Sequence, residues 1–216
     1  LATNLIGLFN QPEKVYLDIE TWKTLPERQL SSGLAETIKH ACLADGEMFD
    51  YLEKNIEKIL VNDKDACEYI AEHNCAVKYK VVMKDERESG LREVLNLGHT
   101  VGRAIETVSD YKLLHGEAVS IGLIAQAKLG EKYGYISPEN VSRVIKLCER
   151  AKLPIAIPDY IDKTALVRKL YTDKKVRDGK LRMVFQKEIG DVMCFGDNDY
   201  AKQITEPEIA EVIDEM

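Results

Sequence analysis

The stretch L-R-E-V-L-N-L-G-H-T-V-G-R-A-I-E-T-V at 91–108 carries the strongest signal for the fold of this chain. Its apolar residues recur at helical spacing, which predicts one α-helix, although Gly98 and Gly102 are poor helix formers. Two glycines four residues apart leave a flat groove where another backbone or a ligand could approach. Four polar residues share one face of the predicted helix: Arg92, Asn96, His99 and Arg103.

This polar face has two interpretations. It is either a solvated outer surface, as on most helices, or the wall of a site. Asn96 and His99 are unusual choices for a solvated surface, and the adjacent glycines indicate a close approach by another group.

Three residues from three predicted elements could form a metal site. His115 precedes a predicted helix and could turn back toward His99, although it could also be a surface loop histidine. Glu36 shares a helix face with Lys39, and the pair could equally be a surface salt bridge. Two histidines and one glutamate, with a position left for water or substrate, are the ligand set of a catalytic divalent site, which suits zinc best. Spacing alone does not establish that the three converge.

Several cations stand out because the chain is acidic. If they converge, a phosphate or carboxylate substrate is the expected ligand, and otherwise they are simply solvated. They are Lys39, Lys78, Lys80, Arg92, Arg103, Lys174 and Lys175. The sequence contains no G-x-G-x-x-G or Walker loop, so any dinucleotide would have its pyrophosphate loop outside this chain.

The pattern of elements predicts a mainly α fold with a short N-terminal strand and one β-hairpin. The strand is expected at 14–19, and the hairpin turns at Ile189-Gly190 after the alternating Leu181, Met183 and Phe185. The first helix is expected to start from an N-cap at Ser31 or Ser32. Other helices are predicted at about 63–83, 117–133, 138–151, 162–172 and 206–215.

Composition excludes several classes of protein. The 216 residues carry 30 Lys+Arg and 37 Asp+Glu, a net charge of −7, which disfavours nucleic-acid binding. No apolar run reaches about 18 residues, so no membrane span is expected. The five cysteines are scattered rather than paired, which is typical of a reducing cytosol and predicts a cytoplasmic protein.

A series of motifs in register resembles 3-dehydroquinate synthase. They are N-L-I-G-L-F-N-Q-P at 4–12, K-T-L-P at 23–26, G-L-A-E-T-I-K at 33–39, K-D-E-R-E-S-G-L-R at 84–92, L-N-L-G-H-T at 95–100, H-G-E-A-V at 115–119 and D-K-K at 173–175. They resemble the C-terminal portion of the family. The resemblance implies that 27–216 form the helical metal- and substrate-binding domain. It also implies that 1–26 are the edge of an N-terminal dinucleotide-binding domain that lies outside this chain.

The family resemblance also implies an activity. The family cyclises 3-deoxy-D-arabino-heptulosonate 7-phosphate to 3-dehydroquinate with release of phosphate, a step of the shikimate pathway. It uses NAD catalytically together with one divalent metal, zinc or cobalt, and tends toward homodimers. The fragment alone is therefore expected to bind metal without turning over.

Individual roles carry over onto matching positions. The resemblance assigns the metal to Glu36, His99 and His115, the trio reached above from residue types. It assigns substrate contacts to Asn4, Lys39, Lys78, Arg92 and Asn96, with Lys174 or Lys175 near the phosphate. Arg103, at a position where the family has a histidine, is a further candidate contact. It assigns NAD contacts to Thr3 and to the turn formed by Thr21, Trp22, Lys23 and Thr24.

Two positions depart from the family pattern. Arg103 replaces the second histidine of G-H-T-x-G-H-A, and Thr3 replaces the lysine of G-K-N. Arginine keeps a phosphate-binding cation but loses a group that titrates near neutral pH. The alternatives are therefore another sugar-phosphate cyclase, of the 2-epi-5-epi-valiolone or 2-deoxy-scyllo-inosose synthase type, or an inactive metal-binding paralogue.

Overall fold

Helices dominate the part of the chain that the structure, a computed structural model, describes: residues 10–86, 90–172 and 181–216. Within these ranges the α-helices are α1 (Glu27–Ala44), α2 (Gly46–Leu60), α3 (Lys64–Lys84), α4 (His99–Val108), α5 (His115–Lys132), α6 (Pro138–Arg150), α7 (Lys163–Thr172) and α8 (Glu206–Asp214). The strands are β1 (Leu181–Val184), β2 (Gln186–Glu188), β3 (Asp191–Val192) and β4 (Ala201–Ile204), and short 3₁₀ helices cover Ile19–Thr24 and Leu91–Asn96. None of the described helices combines the length and the apolar character that crossing a membrane requires. The predicted mainly helical fold is confirmed.

Helix α5 lies at the centre of the fold and is buried on nearly every side. Its Leu123 and Ile124 join a core cluster with α1, α2, α3 and α6. Its Ile121 and Leu129 join a second cluster with α4, α7, α8 and strands β1 and β4. A helix that is apolar all round is one that packs against neighbours in every direction. The backbone at the N-terminus of α5 is therefore held in a fixed position.

Glycines let α4 and α5 cross with their backbones nearly in contact. A Cβ atom added at Gly102 would lie 3.1 Å from the carbonyl oxygen of Ala118 on α5. A Cβ atom added at Gly122 would lie 2.7 Å from the backbone nitrogen of Gly102 and would overlap the carbonyl oxygen of Gly98. The close backbone approach predicted for Gly98 and Gly102 is confirmed, and the approaching element is α5.

The strands form two small antiparallel sheets. Strands β2 and β3 make the predicted hairpin, which turns at Ile189-Gly190 with Gly190 at a φ of 89°. Strand β1 does not belong to that hairpin but pairs with β4, with Leu181 opposite Ile204. Strand β4 was not predicted, because A-K-Q-I is short and only its ends are buried.

The strand predicted at 14–19 is wrong. Residues 14–18 have no regular structure, and the 3₁₀ helix begins at Ile19. A strand needs a neighbour to bond its backbone groups, and none of the described residues supplies one. Val15 and Tyr16 are accordingly exposed.

The predicted N-cap of the first helix is also wrong. Helix α1 begins at Glu27 directly after Pro26, whose fixed φ suits a helix start. Ser31 and Ser32 lie inside the helix and are buried. The Ser31 hydroxyl donates to the carbonyl oxygen of Ala151 (2.7 Å), so it ties α1 to the end of α6.

Candidate metal centre

A tight turn places His99 at the start of α4. Gly98 takes the left-handed conformation with a φ of 76°, which glycine adopts without strain. The single helix predicted over 91–108 is therefore wrong: a 3₁₀ helix ends at Asn96, and α4 begins at His99. Arg92 and Asn96 consequently do not share one helix face with His99.

A buried glutamine holds this turn in place. The amide of Gln126 on α5 accepts a hydrogen bond from the backbone nitrogen of Gly98 and donates one to the carbonyl oxygen of Val184 (2.8 Å). Gln126 is 1% exposed. It therefore links the residue before His99 to strand β1 through the middle of the core.

His115 was predicted to precede the helix, but it is the first residue of α5. One stripe of α1 fixes this helix end at three successive residues. The Arg28 guanidinium donates to the Glu117 carboxylate (2.6 and 2.7 Å), and the Ser32 hydroxyl accepts from the backbone nitrogen of Gly116 (3.1 Å). Glu36, the third residue of the stripe, contacts the His115 ring itself (3.2 Å).

The structure brings Glu36, His99 and His115 together. The Nε2 atoms of both histidines lie 3.2 Å from the same carboxylate oxygen, Oε1 of Glu36. One ligand atom from each residue can be chosen so that all lie within 4.8 Å of one another. The convergence that spacing alone did not establish is thus present in the fold.

The outer nitrogen of each ring has its own partner. Nδ1 of His99 donates to the carbonyl oxygen of Leu97 (3.1 Å). Nδ1 of His115 faces Oε1 of Glu106 at 3.1 Å, and an ionised carboxylate can only accept. Both contacts leave the Nε2 atoms directed at Glu36, which is how metal-binding histidines are usually arranged.

Glu106 was missed by the sequence analysis. It lies on α4 seven residues after His99, so it falls on the same helix face, and that spacing is the one signal that could have found it. Glutamate is common on helices, whereas the four histidines of this chain attract notice by their scarcity.

Charges at the site are strongly coupled. Burial acts to raise the pKa of Glu36, but hydrogen bonds from His115 and His99 and the charge of Lys39 lower it well below its usual range. The hydrogen bond to Glu36 raises the pKa of His115, against the effect of burial. Burial lowers the pKa of Lys39, and the adjacent Glu36 opposes that shift. Glu36 therefore remains a carboxylate.

Positive side chains cluster at Lys39, next to the three predicted metal ligands. Its Nζ donates to Oε2 of Glu36 (2.6 Å) and to the carbonyl oxygen of Leu95 (3.1 Å). The exposed Lys78 and Arg103 both act to lower the pKa of Lys39, so their charges lie near it. Three of the predicted substrate contacts therefore belong to one electropositive region.

The roles of the other predicted site residues stay predictions, and some of these residues lie outside the described ranges. Arg92 donates to the carbonyl oxygen of Glu86 (3.0 Å), and Asn96 is half-buried at the end of the 3₁₀ helix. The segment Thr21–Thr24 lies in the first 3₁₀ helix, and its role in NAD binding stays a prediction. Residues outside the described ranges are Thr3, Asn4, Lys174 and Lys175.

The two remaining histidines have partners away from the trio. Nδ1 of His40 lies 2.8 Å from Oδ1 of Asn74, and Nδ1 of His73 lies 2.7 Å from Oδ2 of Asp45. Asp45 also caps α2 by accepting from the backbone nitrogen of Met48 (2.9 Å). Neither histidine belongs to the trio.

The donor set of the trio is chemically suited to a divalent cation. It offers two imidazole nitrogens and one carboxylate oxygen, which are preferred zinc ligands. The His99 side chain is 11% exposed and the His115 side chain 49%, so the cluster is closed on one side and open on the other. Catalytic sites keep such an open position for water or substrate.

Relatives of this chain carry a consistent name. The family model described as 3-dehydroquinate synthase C-terminal matches residues 33–176. A 3-dehydroquinate synthase from Acetivibrio thermocellus is 42% identical over 93% of this chain and 56% of its own length. One from Methylococcus capsulatus is 46% identical over 87% of this chain and 53% of its own length. The chain thus spans about half the length of the curated relatives it matches.

Solved structures of sugar-phosphate cyclases share the fold. A 2-epi-5-epi-valiolone synthase from Streptomyces hygroscopicus, with NAD⁺ and Zn²⁺ bound, is 26% identical with a TM-score of 0.79, over 91% of this chain and 53% of its own. A 2-deoxy-scyllo-inosose synthase complexed with carbaglucose-6-phosphate, NAD⁺ and Co²⁺ is 24% identical with a TM-score of 0.87, over 98% of this chain and 59% of its own. From the family match over most of its length, this chain belongs to the 3-dehydroquinate synthase family.

Proposed function

We propose that this chain is the metal- and substrate-binding half of a 3-dehydroquinate synthase. The observation that carries the proposal is the convergence of Glu36, His99 and His115 beside a buried lysine, in a chain of this family. The reaction would convert 3-deoxy-D-arabino-heptulosonate 7-phosphate to 3-dehydroquinate and phosphate. The reaction would take place in the cytoplasm, as a step of the shikimate pathway.

Glu36, His99 and His115 would hold one zinc or cobalt ion. A divalent ion bound there supplies Lewis-acid polarisation of a substrate hydroxyl, and NAD⁺ supplies a hydride acceptor. Nδ1 of each histidine is held by Leu97 or Glu106, so the Nε2 atoms are the ones available to the ion. Glu36 would offer Oε1, which faces the two histidines, while Oε2 accepts from Lys39.

The lysine and arginine side chains would bind and orient the anionic substrate. Lys39 is buried and held at two points, so its ammonium is preorganised and loses little freedom when a substrate oxygen arrives. Lys78 and Arg103 add positive charge at the same place. The family resemblance adds Arg92, Asn96, Asn4, Lys174 and Lys175 to the substrate contacts, and a homodimer as the assembly.

NAD would be bound mainly outside these 216 residues. The sequence has no glycine-rich pyrophosphate loop, and the relatives are nearly twice as long as this chain. In this proposal Thr3 and the turn Thr21–Thr24 contribute the contacts that this half makes to the cofactor.

The metal site is tested by the metal content of purified variants. The Glu36→Ala, His99→Ala and His115→Ala variants should each lose stoichiometric zinc or cobalt, because two ligands bind far more weakly than three. His73→Ala is the matched control, since His73 pairs with Asp45 and lies outside the trio. Unchanged metal content in all three ligand variants would refute the site.

The reaction is tested in a protein that also carries a dinucleotide-binding domain. Phosphate release should be seen with the heptulosonate phosphate, NAD⁺ and zinc. Arg103 favours a second candidate, another sugar-phosphate cyclase, because its guanidinium adds a fixed cation where the family usually has histidine. Phosphate release from sedoheptulose 7-phosphate, without release from the heptulosonate phosphate, would favour that candidate.

A further inference from the structure

We infer that Glu106 is a positioning residue for the metal: its carboxylate fixes the tautomer and the orientation of the His115 ring. The inference rests on the proposed metal site and extends it to a residue that does not contact the metal. It concerns the affinity and geometry of binding rather than the identity of the substrate.

The two histidines differ in how they are held. The His99 ring is 11% exposed and donates to the backbone carbonyl of Leu97, two residues away, so packing and the local turn fix it. The His115 side chain is 49% exposed and stands at the very start of α5. Little packing restrains it, so its orientation depends on side-chain partners.

The contacts of the His115 ring divide between two carboxylates. Nε2 faces Oε1 of Glu36 at 3.2 Å, and Nδ1 faces Oε1 of Glu106 at 3.1 Å. Because a carboxylate accepts and does not donate, Glu106 requires the proton on Nδ1. With Nδ1 holding its proton, Nε2 is the ring atom left for a metal, which would displace the proton that Nε2 donates to Glu36, and Nε2 already points toward the other two proposed ligands.

Glu106 is itself held in place. Its side chain is 17% exposed and sits on α4, the helix that also carries His99. The carboxylate therefore couples one proposed ligand to the helix of the other. The close crossing of α4 and α5 at Gly102 and Gly122 keeps the two elements at a constant separation.

A purely structural role for Glu106 is the competing explanation. A negative charge near the N-terminus of α5 also favours the helix dipole, and that effect would stabilise the apoprotein without regard to metal. Glu139 is an acidic residue in the first turn of α6 and lies outside the trio, so it provides a matched control for that effect.

The test measures Zn²⁺ and Co²⁺ affinity of the full chain by competition with a chelating dye, together with the visible spectrum of bound Co²⁺. We expect Glu106→Ala to weaken metal binding about 10- to 100-fold and to change the Co²⁺ spectrum. Glu106→Gln, which keeps a neutral acceptor of the same shape, should fall between Glu106→Ala and the unchanged chain. Glu139→Gln should bind metal as the unchanged chain does.

The outcomes separate this inference from the proposed metal site. If the unchanged chain binds metal and Glu106→Ala weakens binding less than tenfold, the positioning role is refuted while the site stands. If the unchanged chain binds no metal, the site itself is refuted, and the inference with it. Thermal unfolding of the metal-free variants completes the test. A loss of apoprotein stability in Glu106→Gln, with metal affinity and the Co²⁺ spectrum unchanged, would assign Glu106 a structural role only.

Discussion

Replacing Gly122 with alanine tests the close crossing of α4 and α5, on which the position of His99 depends. The added Cβ would lie 2.7 Å from the backbone nitrogen of Gly102 and would overlap the carbonyl oxygen of Gly98. Both obstacles are backbone atoms, which cannot rotate away as a side chain can. The helices would have to move apart.

The magnitude follows from two opposing effects. Overpacking of a filled interior costs about 1–3 kcal/mol, and backbone obstacles on both sides place this substitution near 3 kcal/mol. Alanine regains roughly 0.5–1 kcal/mol relative to glycine inside a helix. The free energy of unfolding should therefore fall by about 2 kcal/mol, a combination of these two estimates.

Urea denaturation of the full chain measures the effect, with Gly33→Ala as the matched control. Gly33 lies in α1, and a Cβ added there meets nothing within 4 Å, so this variant should gain roughly 0.5–1 kcal/mol. The two variants should differ by about 3 kcal/mol. Equal urea midpoints for the two would refute the argument that the crossing excludes a side chain.

Two further predictions concern buried polar side chains. Gln126→Met should lower the free energy of unfolding by about 3 kcal/mol. The Gly98 nitrogen and the Val184 carbonyl would lose their buried partner, at a cost of roughly 1–3 kcal/mol each. A loss below about 1 kcal/mol in urea denaturation would contradict this prediction. Burial lowers the pKa of His40 from 6.5 to about 4. As pH drops, the unfolded chain therefore takes up a proton at this histidine before the folded chain does. The free energy of unfolding should fall between pH 6.5 and pH 4 by on the order of 3 kcal/mol. In urea titrations across this range, His40→Gln should lose less stability than the unchanged chain, and parallel curves for the two would refute the assignment.

The candidate metal trio was predictable because two of its members are histidines, which are rare in this chain. Only four histidines occur in the chain, and His99 lies between the unusual pair Gly98 and Gly102, so few residues were candidate ligands. Their convergence with Glu36 was not predictable from spacing, since it depends on how α1 meets the N-terminus of α5. That contact joins residues 79 apart in the sequence.

Two of the predicted helix boundaries were wrong for identifiable reasons. Helical periodicity continues from the 3₁₀ helix through α4, so the pattern did not reveal that Gly98 takes a left-handed turn between them. Ser31 and Ser32 have the chemistry of N-caps, yet Pro26 started the helix earlier and their hydroxyls bond to other elements instead. Tertiary partners, which no local pattern contains, decided both cases.

The stripe of α1 that fixes the start of α5 also has a consequence for folding. Its three contacts pair Arg28 with Glu117, Ser32 with Gly116, and Glu36 with His115. Each step of four residues along α1 corresponds to a step of one residue back along α5. The spacing of the three contacts therefore fixes which residues of α5 lie against α1. A slip of α5 by a single residue would break all three contacts at once. Because they bridge 79 to 89 residues of chain, the loop between them must close before the ligands can meet. Metal binding at the proposed site would therefore report that the tertiary fold is complete, because the three proposed ligands come from three different helices.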